Sequence, residues 1–291
     1  MSKARILGTG VATMDIYVDR KRMYPGGNEY NVVCNAKQLG AEAGFLGVFA
    51  NDLAGQLLEQ TLKDCGVDTS YSHHEVGSSG YSLVRIKEDG DRVFLDWNQD
   101  GVTDLYPYEF TEEEIAYIKS YDVLCIGRLA NVSLAKVKKL YYQGIKLCYD
   151  FHATFSDIEI HRFAPYCEYA FFSCSHLDED EMHHYLKKAV DCGCRIAIGT
   201  RGCDPVLAYD GEQYYNQETC RVEATDALGA GDSYIGAFLA YYLMGEGKQA
   251  DRIENALYKA TRHSASVVVK EGSIGVGYDI DPPKIEEIIN F

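Results

Sequence analysis

Thr225-Asp226-Ala227-Leu228-Gly229-Ala230-Gly231-Asp232-Ser233 is the stretch that decides how this chain is read. Three small residues precede Asp232, and an apolar run with helical spacing follows through Ile235, Ala237, Phe238, Leu239 and Tyr242. A helix start leaves four backbone N–H groups without internal partners, and the helix dipole is positive there. Gly229, Ala230 and Gly231 leave those donors uncovered, so the turn suits a phosphate or a developing negative charge. Asp232 then stands beside the bound anion, placed to take a proton from a hydroxyl. The same residues also fit a plain helix cap on a glycine turn, so the rest of the chain has to choose.

Near the other end, Pro25-Gly26-Gly27-Asn28-Glu29-Tyr30-Asn31 runs into a helix carrying Val32, Val33, Ala36 and Leu39 and ending at Gly40. Asn28 and Asn31 share a face of its first turn. Their amides offer donors and acceptors together, which suits a polyol; Asn28 equally fits a simple N-cap. Asp15 sits among apolar residues in Met14-Asp15-Ile16-Tyr17-Val18. A carboxylate there binds a sugar diol or ends a strand in solvent. Residues 5–11 begin with a short strand, and Gly8-Thr9-Gly10 within them suggests a dinucleotide turn, but its third glycine falls on Thr13, which argues against an NAD-linked enzyme.

The chain of 291 residues, 46% apolar, can build a full α/β core. Its net charge of −16, with no basic run longer than Arg20-Lys21-Arg22, argues against nucleic acid or anionic membrane as a partner of the whole surface. No apolar stretch reaches the roughly 18 residues of a membrane span, and the opening residues lack a secretory pattern. Ten cysteines include no C-x-x-C pair and lie mostly in apolar contexts. Free buried thiols in a soluble, cytoplasmic protein are the expectation.

Between the two glycine stretches the texture is β/α. A helix carries Leu53, Leu57, Leu58 and Leu62 and stops near Gly66. Residues 81–86 and 92–97 flank an Asp89-Gly90 turn as a β-hairpin rich in aromatics, from which Arg92, Trp97 and Asn98 reach a substrate. Thr111 and Glu114 form a capping box. Strands at 123–126, 147–151, 169–173 and 195–199 alternate with helices near 133–143 and 178–191, the pattern of a parallel sheet covered by helices. A second hairpin turns at Asp210-Gly211. A last helix carries Asn255, Leu257 and Ala260, and Gly272-Ser273-Ile274-Gly275 follows it.

Taken together these residues resemble the ribokinase-like (PfkB) family of carbohydrate kinases. Gly26-Gly27-Asn28 with Asn31 matches its N-terminal signature, and Asp226 through Asp232 its C-terminal D-T-x-G-A-G-D signature. The resemblance implies a three-layer sandwich around a mostly parallel sheet, with a small β lid from strands near 12–20 and 81–98, all in one domain over 1–291. It implies ATP-dependent phosphorylation of a sugar primary hydroxyl with Mg²⁺ and a possible K⁺ requirement. Asp232 matches the base, and Gly229, Ala230 and Gly231 the anion hole. Asp15, Gly26, Gly27, Asn28 and Asn31, with Arg92 and Trp97 from the hairpin, match the sugar side. Thr200, Gly202, Asp226, Asn255, Ala260 and Ser264 match the nucleotide side, and Asp178 stands where a residue holding Mg²⁺ through water is expected. Within the family, Asp15-Ile16-Tyr17 and Asp91-Arg92-Val93-Phe94 look most like the enzymes acting on fructoselysine. Ala227, Pro205 and Asp178 depart from the family pattern. Another sugar or nucleoside acceptor, a non-catalytic binder on the same fold and a homodimer through the lid remain open.

Overall fold

A computed structural model describes residues 3–87 and 92–280. Its main sheet uses the short apolar runs read above. The strands are β1 (Arg5–Gly8), β4 (Glu42–Phe45), β9 (Val123–Gly127), β10 (Leu147–Asp150), β11 (Tyr169–Ser173), β12 (Ile196–Arg201), β13 (Asp204–Tyr209) and β14 (Tyr214–Gln217). Their order is β14-β13-β12-β11-β10-β9-β1-β4, and β12 through β4 are parallel while β13 and β14 run antiparallel. The second hairpin turns at Asp210-Gly211, where Gly211 takes a φ of 92°.

Successive strand residues point to opposite faces, so each parallel strand is buried on both sides. Leu124, Ile126, Leu147, Tyr149 and Phe172 pack on one face against α4 (Glu112–Ile118), α5 (Leu134–Tyr142), α6 (Asp157–Phe163) and α7 (Glu179–Asp191). Val123, Cys125, Cys148, Phe171 and Ile198 pack on the other against α1 (Asn28–Gln38), α8 (Ala230–Met244) and α9 (Gln249–Val267). This is the expected three-layer sandwich. α2 (Leu53–Asp64) is N-capped by Asp52 and stops before Gly66, whose φ is 77°. α4 opens on the Thr111–Glu114 capping box.

A second, five-stranded sheet has the order β15-β3-β2-β7-β8, from β2 (Thr13–Tyr17), β3 (Arg22–Gly26), β7 (Gly80–Ile86), β8 (Arg92–Trp97) and β15 (Tyr278–Asp279). β2, β7 and β8 are the strands expected at 12–20 and 81–98; the Asp89-Gly90 turn lies outside the described residues. β3 and β15 have no counterpart in the sequence reading. The short strand expected at the start of residues 5–11 is β1, and β5 (Val48–Ala50) pairs with β6 (His73–Glu75). A short α3 (Val102–Leu105) and α6 were also unread.

Candidate active site

In the main sheet β1 is flanked by β4 on one side and β9 on the other, so the strand order reverses there. Ligands of parallel sheets collect beyond the carboxyl ends of strands at such a point. Val11, Arg128, Asp150, His152, Ser173 and Thr200 lie at those ends, and all line one cleft of about 830 Å³. The small sheet forms the facing wall with Thr13, Asp15, Ser82, Arg92, Phe94 and Trp97, and α8 closes the floor with Gly229, Gly231 and Asp232.

Asp232 occupies the first turn of α8, whose N-cap Gly229 takes a left-handed φ of 73°. A Cβ at Gly229 would collide with Ser273, whereas one at Gly231 would meet nothing within 4 Å. Gly229 is therefore demanded by packing, and Gly231 keeps the cleft open. The amide of Ala230 bonds back to Ala227 O at 3.3 Å, so it is not free as expected. The amides of Gly231 and Asp232 find no acceptor among the described residues. Asn31 Nδ2 donates to Asp232 Oδ2 at 2.8 Å. Burial pushes the Asp232 carboxyl up to about 7; Asp150 adds to the rise, while the Asn31 hydrogen bond and Arg92 oppose it.

Across the cleft, Asp15 is 4% exposed and also raised to about 7 by burial, then by Asp226 and Asp232, against Arg92 and a Ser82 hydrogen bond. Gly26 makes room for it, because a Cβ there would strike the Asp15 carboxylate. Gly27 is the N-cap of α1 at φ 119°, and a Cβ would strike Val11 O. Asn28 Nδ2 donates to Asp150 Oδ2 at 3.3 Å, and His152 N donates to Asp150 Oδ1 at 2.8 Å. Arg92 Nη1 donates to Ala227 O at 3.3 Å, tying the small sheet to the glycine turn. The structure thus gathers Asp15, Gly27, Asn28, Asn31, Arg92, Trp97, Thr200, Gly229, Gly231 and Asp232 around one space.

Other expected residues lie elsewhere. Asp226 is 1% exposed and its carboxylate accepts from Tyr17 O–H at 2.5 Å, Gly272 N at 2.8 Å and Leu228 N at 2.9 Å. It clamps two loops to the small sheet and does not line the cleft. Asp178 caps α7, accepting from Glu181 N at 2.8 Å, and also lies outside the lining. Acids favour a helix N-terminus on their own account, and that suffices here. Ala260 is fully buried where α9 packs on α8, and Asn255 is exposed on the other side of α9. Ser264 Oγ donates to Ala230 O at 2.9 Å instead of facing the cleft. Gly202 makes the exposed β12–β13 turn at φ 60°. Sequence reasoning missed Ser82, His152 and Arg128, which become neighbours of the site only through sheet register.

A scan against protein-family models matches "pfkB family carbohydrate kinase" over residues 8–278. The chain belongs to this family. The kinase is 32% identical to the fructosamine kinase FrlD of Bacillus subtilis over 286 residues, covering 97% of this chain and 96% of that protein. It is 29% identical to the fructoselysine 6-kinase of Escherichia coli over 232 residues, 80% and 87% of the two chains. Among solved structures, Arabidopsis thaliana ribokinase complexed with ribose and ATP superposes with a TM-score of 0.78 over the whole of both chains at 16% identity, a likeness of fold. The chain is accordingly a carbohydrate kinase of ribokinase-like fold. No described helix is long and apolar enough to cross a membrane.

Proposed function

We propose that this kinase transfers the γ-phosphoryl group of ATP to the primary hydroxyl of a fructosamine, with fructoselysine as the foremost acceptor. The observation that carries the reading is Asp232, held by Asn31 at a helix start beside two amides that find no acceptor among the described residues. Asp232 takes the hydroxyl proton as the oxygen attacks phosphorus, and the bond to ADP breaks. The amides of Gly231 and Asp232 and the α8 dipole stabilise the negative charge of the moving group. Asp15, Asn28 and Asp150 hold the sugar hydroxyls. The small sheet, carrying Arg92 and Trp97, acts as a lid that excludes water. Thr200 and the Gly202 turn receive the nucleotide side.

Among the described residues no three His, Cys, Asp or Glu side chains gather as a metal cage. Mg²⁺ would enter on the nucleotide phosphates, where it keeps most of its water and neutralises their charge. For K⁺, the Asp226 carboxylate is taken by three donors, which leaves backbone carbonyls as ligands. We read 1–291 as one cytoplasmic kinase domain, with the half-exposed Val93 and Leu95 of β8 as a homodimer surface. The acceptor rests on the two similar kinases named above. An ADP-release assay across fructoselysine, other fructosamines, fructose, ribose and adenosine tests it; turnover is expected to be highest with a fructosamine, and exclusive use of a nucleoside would overturn the acceptor. Asp232→Asn is expected to lower kcat by roughly 10²–10⁴, the scale of a lost general base. Full turnover in that variant refutes the base.

A further inference from the structure

We propose that Ser273 is a positioning residue for the base: its hydroxyl holds and polarises the Asn31 amide, and through it sets the aim and proton affinity of Asp232. The proposal rests on the reading of Asp232 above. Ser273 is 1% exposed and belongs to the glycine-rich loop after α9, which touches neither the sugar side nor the nucleotide side of the cleft lining. Its O–H donates to Asn31 Oδ1 at 2.5 Å. Asn31 is 3% exposed, and its Nδ2 donates to Asp232 Oδ2 at 2.8 Å. The three side chains form one directional chain, O–H to amide oxygen, amide N–H to carboxylate. Hydrogen bonds in series polarise one another. A donor on the amide oxygen makes the amide nitrogen a better donor, and the ionised form of Asp232 gains.

The direction has a meaning because an amide has two unlike ends. Turned over, Asn31 would present its oxygen to the carboxylate, an arrangement that suits only protonated Asp232. A hydroxyl suits either end of the amide, so the choice of end follows from the ionised carboxylate, and the Ser273 donor favours that anion by polarising the amide once it is so placed. The surroundings hold Ser273 in register. Gly272 N hangs from Asp226 Oδ2 at 2.8 Å, and the absent side chain of Gly229 leaves the space Ser273 fills. Asn35, fully buried one turn along α1, donates to Asn31 O at 2.9 Å and to Ser273 O at 3.4 Å, and His263 of α9 lies 2.8 Å from its Oδ1. This gives Asp226 its part as well: it fastens the loop that carries Ser273.

The test is the pH profile of kcat/KM. In the parent the activity is expected to rise with pH through the ionisation of Asp232, whose carboxyl is pushed up to about 7 by burial. In Ser273→Ala that limb is expected to move up by roughly half to one pH unit, the size of one net hydrogen bond, with kcat at pH 7 reduced and its plateau at high pH largely kept. Ser273→Cys, a weaker donor of similar volume, is expected to fall between, and it carries the test should the alanine variant not fold. In an Asn31→Leu background, Ser273→Ala is expected to change neither the limb nor kcat further. An unmoved limb in both serine variants, or full additivity with Asn31→Leu, overturns the proposal. Full turnover of Asp232→Asn overturns the base itself, a separate outcome.

Discussion

A buried carboxyl group without a donor costs a folded chain stability, and Glu29 is such a group. It is 2% exposed, and neither oxygen has a hydrogen-bond partner among the described residues. Gly10 and Gly127 leave the room its oxygens occupy, since a Cβ at Gly10 would collide with them and one at Gly127 would lie 2.9 Å away. Burial pushes it up to about 8; Asp150 and Asp232 add to the rise, and its own amide and that of Val11 pull the other way. Between the ordinary carboxyl range and about 8 the folded chain therefore holds a proton that the unfolded chain releases. Stability from this group is present at low pH and is lost as pH rises through that window. Glu29→Gln removes the titration. Its Tm relative to the parent is expected to climb from pH 5 to pH 8.5 in calorimetry, and a constant difference across that range would count against the account. The sequence marked Asn28 and Asn31 but passed over Glu29 between them, because a glutamate in a first helical turn is ordinary. Likewise two carboxylates flank the glycine turn, and only the fold shows that Asp232 faces the cleft while Asp226 is consumed by Tyr17, Leu228 and Gly272.

At the level of the element, β8 shows what alternation can and cannot tell. The hairpin was legible from two runs around a turn, and Ser82, Leu83, Val84, Arg85 and Ile86 pair with its strand as expected. Strict alternation puts Trp97 on the face of Val93 and Leu95. A register shift between Leu83 and Val84 makes Val84 oppose Phe94 and Ser82 oppose Trp97. Such an irregularity re-aims a side chain, and it brings Trp97 to the cleft with Arg92 and Phe94. Both rings stay largely open, Trp97 at 56% and Phe94 at 45% exposure. An aromatic face beside a cleft lined with acids favours a cationic amine. Trp97→Ala is therefore expected to lower kcat/KM for a fructosamine a few-fold to about 30-fold, the range of a cation–π contact. With fructose, which lacks the amine, it should change little. Equal losses on both acceptors would remove Trp97 from amine recognition. β3 escaped the sequence because Pro25 and Gly26 read as loop, although it forms a hairpin with β2, and β15 because two residues carry no period and it exists only through pairing with the distant β3.

Over the whole molecule, the three layers were legible because strands buried on both faces read as continuous apolar runs. The nucleotide side was not, since α9 turns Ala260 into the core and Asn255 outward, a matter of helix rotation. The net charge of −16 also acts at this scale. It repels an anionic nucleotide and draws in a cationic sugar amine, and salt screens both effects. Raising ionic strength from about 0.01 to 0.15 M shortens the screening length from roughly 30 to 8 Å. KM for ATP is expected to fall over that range while KM for a fructosamine rises. Steady-state kinetics with each substrate varied in turn checks this, and parallel trends would contradict it.

The five-stranded sheet is woven from residues 13–17, 22–26, 80–86, 92–97 and 278–279, and Ser273 lies in the loop that leads from α9 to the last of these strands. A chain emerging from the ribosome consequently carries Asp15 and Asn31 early, whereas the Ser273 hydroxyl that engages Asn31 follows 242 residues later. Partial products of synthesis or proteolysis that stop before residue 273 carry Asp232 and Asn31 but lack the hydroxyl that engages the Asn31 amide.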